Sequence, residues 1–140
     1  VSLVFRRPVC YIDIARYSQF FLGTNIAYWN PTTLMKNGSR MTLQQVMDSG
    51  VALLKDPDDF EKQGIISVRS TPEVICQLAV EFAQMYETGF RQSADDEKTA
   101  NQANEIIERG MGEFGQNKFG NVTAHLNPAF LRQQSDWFLA

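Results

Sequence analysis

The chain has 140 residues, 44% of them hydrophobic and 21% charged, a composition that supports one modest globular core. Its net charge of -3, with no run of lysine or arginine, excludes the concentrated basic face that nucleic-acid phosphates require. No stretch approaches the roughly 20 apolar residues of a membrane span, and the N-terminus lacks the order of charged, apolar and small residues that marks a signal peptide. The expectation is a single α/β domain over residues 1–140, cytoplasmic, with helices dominating the second half.

Residues 9 to 14, "VCYIDI", are apolar and β-branched with one aromatic, the pattern of a buried strand opened by Pro8. From Ala15 to Ser39 the signals conflict. "FFLG" suits a short strand, whereas "NP" and "NGS" are turn chemistry, so the reading is a long ordered loop. Thr42 and Gln45 have the spacing of a capping box, in which the Thr hydroxyl takes a backbone N–H and the Gln amide reaches back. A short helix through Asp48 follows, stopped by Gly50. "KDPDDFEKQG" is polar and turn-rich, and "IISVR" from Ile65 is a short strand.

"SVRSTPEVICQLAVEFAQM" has the form of the strand, turn and capped helix at the hinge of a nucleotide-binding fold. Two starts are open for its helix: a capping box of Ser70 and Glu73, or Thr71 as cap with Pro72 at the first position. Val74, Ile75, Leu78, Ala79, Phe82 and Met85 form the expected inner face, opposite Glu73, Gln77, Glu81 and Gln84, and Gly89 ends the helix. Ser93 caps a second, more polar helix, "ADDEKTANQANEIIERGMGEF", whose acidic first turn suits the positive end of the helix dipole. The stretch from Gly89 to Thr99 is the expected mobile segment. A third helix starts near Pro128 and carries Phe130, Leu131, Trp137 and Phe138, which dock the C-terminus onto the body. No internal repeat is read.

The candidate chemistry is sparse. "GMGEFG", Gly110 to Gly115, matches the letters of a GxGxxG phosphate fingerprint, but a helix precedes it where a strand is needed, so a glycine-rich helix end is the better reading. His125, the lone histidine, is expected on the surface or half-buried, with no second ligand for a metal. Cys10 in the first strand and Cys76 on the inner side of the helix read as buried, reduced thiols. The pairs Asp58–Asp59 and Asp95–Asp96 fit solvated loops or helix starts, and the "NGS" and "NVT" glycosylation patterns at Asn37 and Asn121 carry no weight without secretion. Asp13, Arg16 and Tyr17 directly follow the carboxyl end of a buried strand, where open α/β sheets bind ligands. A surface loop with a packed Arg and Tyr is the equal alternative.

In order, "RRPVCYID", "FFLGTNIAYWNPTTLMKNGSRMTLQQVMDSGV", "ISVRSTPEVICQLAVEFAQM" and "NPAFLRQQSDWFLA" resemble the C-terminal end of a bacterial glycosyltransferase family from surface-polysaccharide gene clusters. In that family a "PV" strand leads to a loop, a lysine-containing segment before an "LT" helix start, a strand with an "S/T-PEEI" helix, and a closing "FLR" helix. The family's upstream Gly-Thr-Ser type turn is absent, and "LGTN" from Leu22 falls elsewhere. The resemblance implies the Rossmann-like C-terminal portion of a two-domain GT-B enzyme, a fragment whose N-terminal part and catalytic base lie outside it and which is inactive alone. The start at Val1, inside a strand-like stretch, accords with that expectation.

The resemblance further implies a nucleotide-sugar donor and a glycan acceptor as partners, no cofactor or obligatory metal, and a location in the cytoplasm or peripheral to the inner membrane. It makes Asp13, Arg16 and Tyr17 donor-binding candidates and leaves the catalytic residues unknown. Two rivals stand beside it: a non-catalytic α/β binding or interaction module, and a sugar-stacking surface formed by Tyr28, Trp29, Trp137 and Phe138. Aromatics at that spacing are more often core.

Overall fold

The computed structural model describes residues 7–15, 17, 26–54, 56–111 and 123–139. In chain order the elements are β1 (Val9–Ile14), β2 (Ile26–Pro31), β3 (Thr33–Lys36), β4 (Ser39–Arg40), α1 (Leu43–Asp48), a 3-10 turn (Val51–Leu53) and α2 (Pro57–Lys62). They continue with β5 (Ile65–Val68), α3 (Pro72–Glu87), α4 (Ala94–Met111), β6 (Thr123–Leu126), α5 (Pro128–Gln133) and α6 (Ser135–Leu139). The class is mixed α/β, with helices dominating the second half.

β1, β2 and β6 form a three-stranded parallel sheet in the order β1-β2-β6. β2 falls inside the stretch expected to be a long loop, and β6 was not anticipated. "IAYW" becomes a strand because it is central: Ala27, Tyr28, Trp29 and Asn30 are each at most 3% exposed, and neighbours on both sides satisfy its backbone. Its partner β6 lies almost a hundred residues along the chain, a pairing that no local signal announces.

Further along the same stretch, residues 33–36 and 39–40 form β3 and β4, joined by a tight turn at Asn37 and Gly38 with φ of 53° and 75°, while "FFLG" lies outside the described residues. Two left-handed residues in succession are what a type I′ hairpin requires, and Asn-Gly supplies them with least strain. β5 forms where "IISVR" predicts a strand, but it pairs antiparallel with β3 in a second sheet, β4-β3-β5. The expected strand-turn-helix unit of a nucleotide-binding sheet is therefore not built from β5 and α3. The "KDPDDFEKQG" segment is also more than a turn. Asp56 accepts from the Asp58 N–H at 3.0 Å and starts α2 with Pro57 at its first position.

α1 carries the full capping box: the Gln45 N–H donates to Thr42 Oγ1, and the Thr42 N–H to Gln45 Oε1 at 2.9 Å. α3 takes Thr71 as its cap, with Pro72 first, which leaves Ser70 free for another partner. The buried residues of α3 are Leu78 and Met85, with Val74 and Phe82 half-buried, whereas Ile75 and Ala79 are exposed. Cys76 is exposed as well, contrary to expectation. At 100° per residue it stands about 200° round the helix from Leu78, so it cannot share its face.

α3 closes with a Schellman motif, in which the Phe90 N–H donates to the Met85 carbonyl at 2.7 Å across left-handed Gly89. Residues 89–99, expected as the mobile segment, form this closure and the first turns of α4, capped by Ser93. Both acidic pairs lie in the first turns of helices, Asp58–Asp59 in α2 and Asp95–Asp96 in α4. The C-terminus docks as expected but through two short helices. Trp137 and Phe138 are 4% and 5% exposed, and Trp137 meets Phe130 edge-on at 5.2 Å.

One hydrophobic cluster joins Trp29 and Leu126 of the parallel sheet to Leu34 and Ile65 of the other sheet and to α1, α4, α5 and α6. Each fully buried leucine here, such as Leu43, Leu78, Leu126 or Leu131, contributes about 1.5–3 kcal/mol over its exposed state. Arg132 on α5 links three helices at the surface, reaching Glu81 of α3 at 2.6 Å and Asp96 of α4 at 2.7 Å.

Candidate functional site

The carboxyl edge of the parallel sheet is where open α/β sheets bind ligands. β1 is irregular there. Tyr11 pairs with Trp29 but Ile14 with Pro31, so β1 holds one extra residue between these points. Asp13 sits in this bulge with φ of 59°, a left-handed conformation that Asp tolerates better than most residues. Its carboxylate turns to the head of α3 and accepts from the Ser70 N–H at 2.8 Å and from the Ser70 hydroxyl at 2.6 Å. The left-handed bulge and this two-point clasp fix the carboxylate's direction together.

Tyr17 lies elsewhere in chemical terms. Its ring is 1% exposed and meets Trp29 edge-on at 5.4 Å. Burial pushes its hydroxyl far above the usual tyrosine range, and the Arg40 charge opposes that only in part. It is a core residue, not a surface tyrosine, and its ring is closed to a ligand. Arg16 lies outside the described residues, as do Gly112, Gly115 and Asn121. Among the described residues, Tyr17 Oη, Thr32 Oγ1 and Arg40 Nε are buried without a hydrogen-bond partner. Thr32 follows β2 directly, with its N–H donated to the Ile14 carbonyl at 3.1 Å.

A buried polar seam closes the middle of the same edge. Asn127, just past β6, donates to Asn30 Oδ1 of β2 at 2.9 Å and accepts from the Cys10 thiol at 3.7 Å. Asn30 and Asn127 are 0% and 2% exposed. Burial pushes the Cys10 thiol up in pKa, against the smaller pull of Asn127, so it stays protonated and inert. The sequence held a signal for this seam. "AYWNP", Ala27 to Pro31, and "AHLNP", Ala124 to Pro128, repeat one A-x-x-N-P pattern, and the sheet register sets Ala27 against Ala124 and Tyr28 against His125. The reading of no internal repeat missed it, because five residues of which three match carry little weight until the strands are known to be neighbours.

Where the register sets β2 against β6, Tyr28 and His125 stack at 5.1 Å, and Phe90 stacks on Tyr28 at 5.5 Å. His125 is half-buried, and burial lowers its pKa, so its imidazole is neutral at pH 7. Gln92 donates to the Tyr28 hydroxyl at 3.2 Å. A cavity of about 410 Å³ opens here, lined by these rings together with Gln92, Glu97, Asn101 and Asn104. The wider stacking surface of Tyr28, Trp29, Trp137 and Phe138 does not exist, since all four are at most 5% exposed.

Gly110, first letter of the GxGxxG match, stands inside α4, where a Cβ would overlap Cβ and Cγ of Met47 on α1. Its role is close helix packing. Among the described residues no group of three or more His, Cys, Asp or Glu is placed to hold a metal ion, and no helix is long and apolar enough to cross a membrane. No protein-family model, curated protein or solved structure matches the chain.

Proposed function

We propose that the chain is the Rossmann-like, donor-side portion of a GT-B glycosyltransferase that moves a sugar from a nucleoside diphosphate to a hydroxyl of a surface polysaccharide. The observation that carries this reading is Asp13, a carboxylate held in a left-handed bulge at the carboxyl end of a parallel strand and clasped by Ser70 at the head of a 16-residue helix. Strain retained at a sheet edge is a mark of function, and that edge is where α/β sheets hold ligands. Each Asp13 oxygen takes one bond from Ser70 and keeps a second lone-pair direction, enough to accept a ribose or hexose hydroxyl. The unpartnered hydroxyl of Thr32 directly follows β2, whose carboxyl end is held to β1 by the Thr32 N–H bond to Ile14. The positive end of the α3 dipole favours negative charge near Ser70, although Glu73 in its first turn already uses part of that field.

Thermal melts with UDP-glucose, UDP-N-acetylglucosamine and GDP-mannose test the reading. One donor is expected to raise Tm, since a ligand at about a hundred times its Kd adds roughly 2.7 kcal/mol. Asp13→Asn preserves the shape and the left-handed tolerance but is expected to weaken that donor about tenfold. A chain that no nucleotide sugar stabilises, or whose response is the same in Asp13→Asn, overturns the proposal. It would favour the alternative of a non-catalytic binding module, which rests on the absence, among the described residues, of a candidate general base beside Asp13.

A further inference from the structure

We infer that the cavity between β2, β6, the closure of α3 and α4 is a binding site for a neutral saccharide, with neither Asp13 nor Ser70 in its lining and independent of the transfer reading. Its volume of about 410 Å³ falls in the range of small-ligand sites. The lining is chemically selective. Gln92, Asn101 and Asn104 offer primary amides, each able to donate and accept, and Glu97 adds an acceptor. Vicinal hydroxyls need that mixture, since each is itself donor and acceptor.

The rings supply the second half of the match. Tyr28 is buried, but Phe90 and His125 are only part-buried and line the cavity against it, an apolar platform for the C–H face of a pyranose. Neutral His125 keeps that platform uncharged. Among the described residues no lysine or arginine lines the cavity, and Glu97 repels anions, so a phosphate or nucleotide is disfavoured. Phe90 is fixed in place by its left-handed backbone, φ 58°, a conformation rare for a bulky residue and held by the closure of α3. Gln92 is fixed by its bond to Tyr28, which leaves its amide carbonyl oxygen as an acceptor.

The test is an NMR titration of the chain with maltose, cellobiose and N,N′-diacetylchitobiose, with UDP and inorganic phosphate as anionic probes. The expected result is that at least one disaccharide shifts the side-chain amides of Asn101 and Asn104 and the ring signals of Phe90 and His125. The paired change Asn101→Ala and Asn104→Ala is expected to weaken it about tenfold, with signals around Asp13 and Ser70 unmoved. Should that variant fold poorly, Glu97→Gln, on the exposed first turn of α4, is expected to weaken the same sugar several-fold. Absence of shifts at high millimolar sugar, shifts confined to the Asp13–Ser70 edge, or stronger effects from UDP or phosphate at Asn101 and Asn104 would each overturn the assignment. A nucleotide sugar acting only at Asp13 leaves the donor proposal standing while this one falls.

Discussion

Replacing Gly110 by alanine puts a methyl group where Met47 already stands. In an unobstructed helix the change is favourable by about 1 kcal/mol, because alanine loses less backbone freedom than glycine. Forcing a carbon into a filled contact costs about 1–3 kcal/mol. The overlap falls on Cβ and Cγ of Met47, atoms held close to the α1 backbone, so the cost lies in the upper part of that range. Gly110→Ala is expected to destabilise the chain by about 1–2 kcal/mol, a fall of roughly 3–7 °C in Tm at this length. The diagnostic is its sign in a second background. With Met47→Ala in place the obstruction is gone, and Gly110→Ala becomes stabilising by up to about 1 kcal/mol. Urea unfolding followed by circular dichroism gives all four corners of the cycle. If the single change stabilises the wild-type chain, or the two changes add within about 0.5 kcal/mol, close packing is not why this position is glycine.

Arg132→Met removes the link from α5 to Glu81 and Asp96. Because Arg132 is 49% exposed, a loss of only about 0.5–1 kcal/mol is expected, shrinking further in high salt, and a salt-independent loss would point to packing by the arginine stem. For His125 the folded pKa is depressed by burial, so its contribution is fully present above the unfolded value of 6.5 and is lost as the pH falls through the lowered folded value. Urea midpoints are expected to fall on acidification below neutrality, less steeply in His125→Gln, and equal slopes would refute the assignment. A thiol reagent such as DTNB is expected to label exposed Cys76 rapidly in the native chain and Cys10 only on unfolding. Cys10 is half-buried rather than fully buried, and two equivalents released at one rate would contradict the protection given by its contact with Asn127.

The local features legible in the sequence share one property: their signals lie within a few residues of each other. The capping box at Thr42 and Gln45, β1, the β5 segment, Thr71 with Pro72 as one of two starts left open, the Ser93 cap and the apolar C-terminal anchor were each read from near neighbours. The acidic pairs, read as solvated loops or helix starts, are helix starts, and Gly110, read as part of a glycine-rich helix end, is the penultimate residue of α4. Asp13 could be set at a sheet edge because the end of β1 was visible, but its clasp by Ser70 joins residues that no local pattern connects.

Tertiary structure decided the rest. β2 became a central strand only because β6 returns beside it, which turned "AYWNP" and "AHLNP" into a register-matched pair with a shared asparagine seam. β5 was recognised as a strand, yet its assignment to an antiparallel sheet depended on β3 and the Asn37–Gly38 hairpin. The fate of Tyr17 and of Cys76 turned on which surface covered each one: Trp29 for the first, none for the second. Helix caps are made by hydrogen bonds within one turn of chain, so the sequence alone marks the candidates for them, although the choice of Thr71 over Ser70 accompanied the distant clasp of Ser70 by Asp13. Strand pairing and burial are set by which faces meet after the chain has closed long loops, and that competition is resolved only in the folded whole.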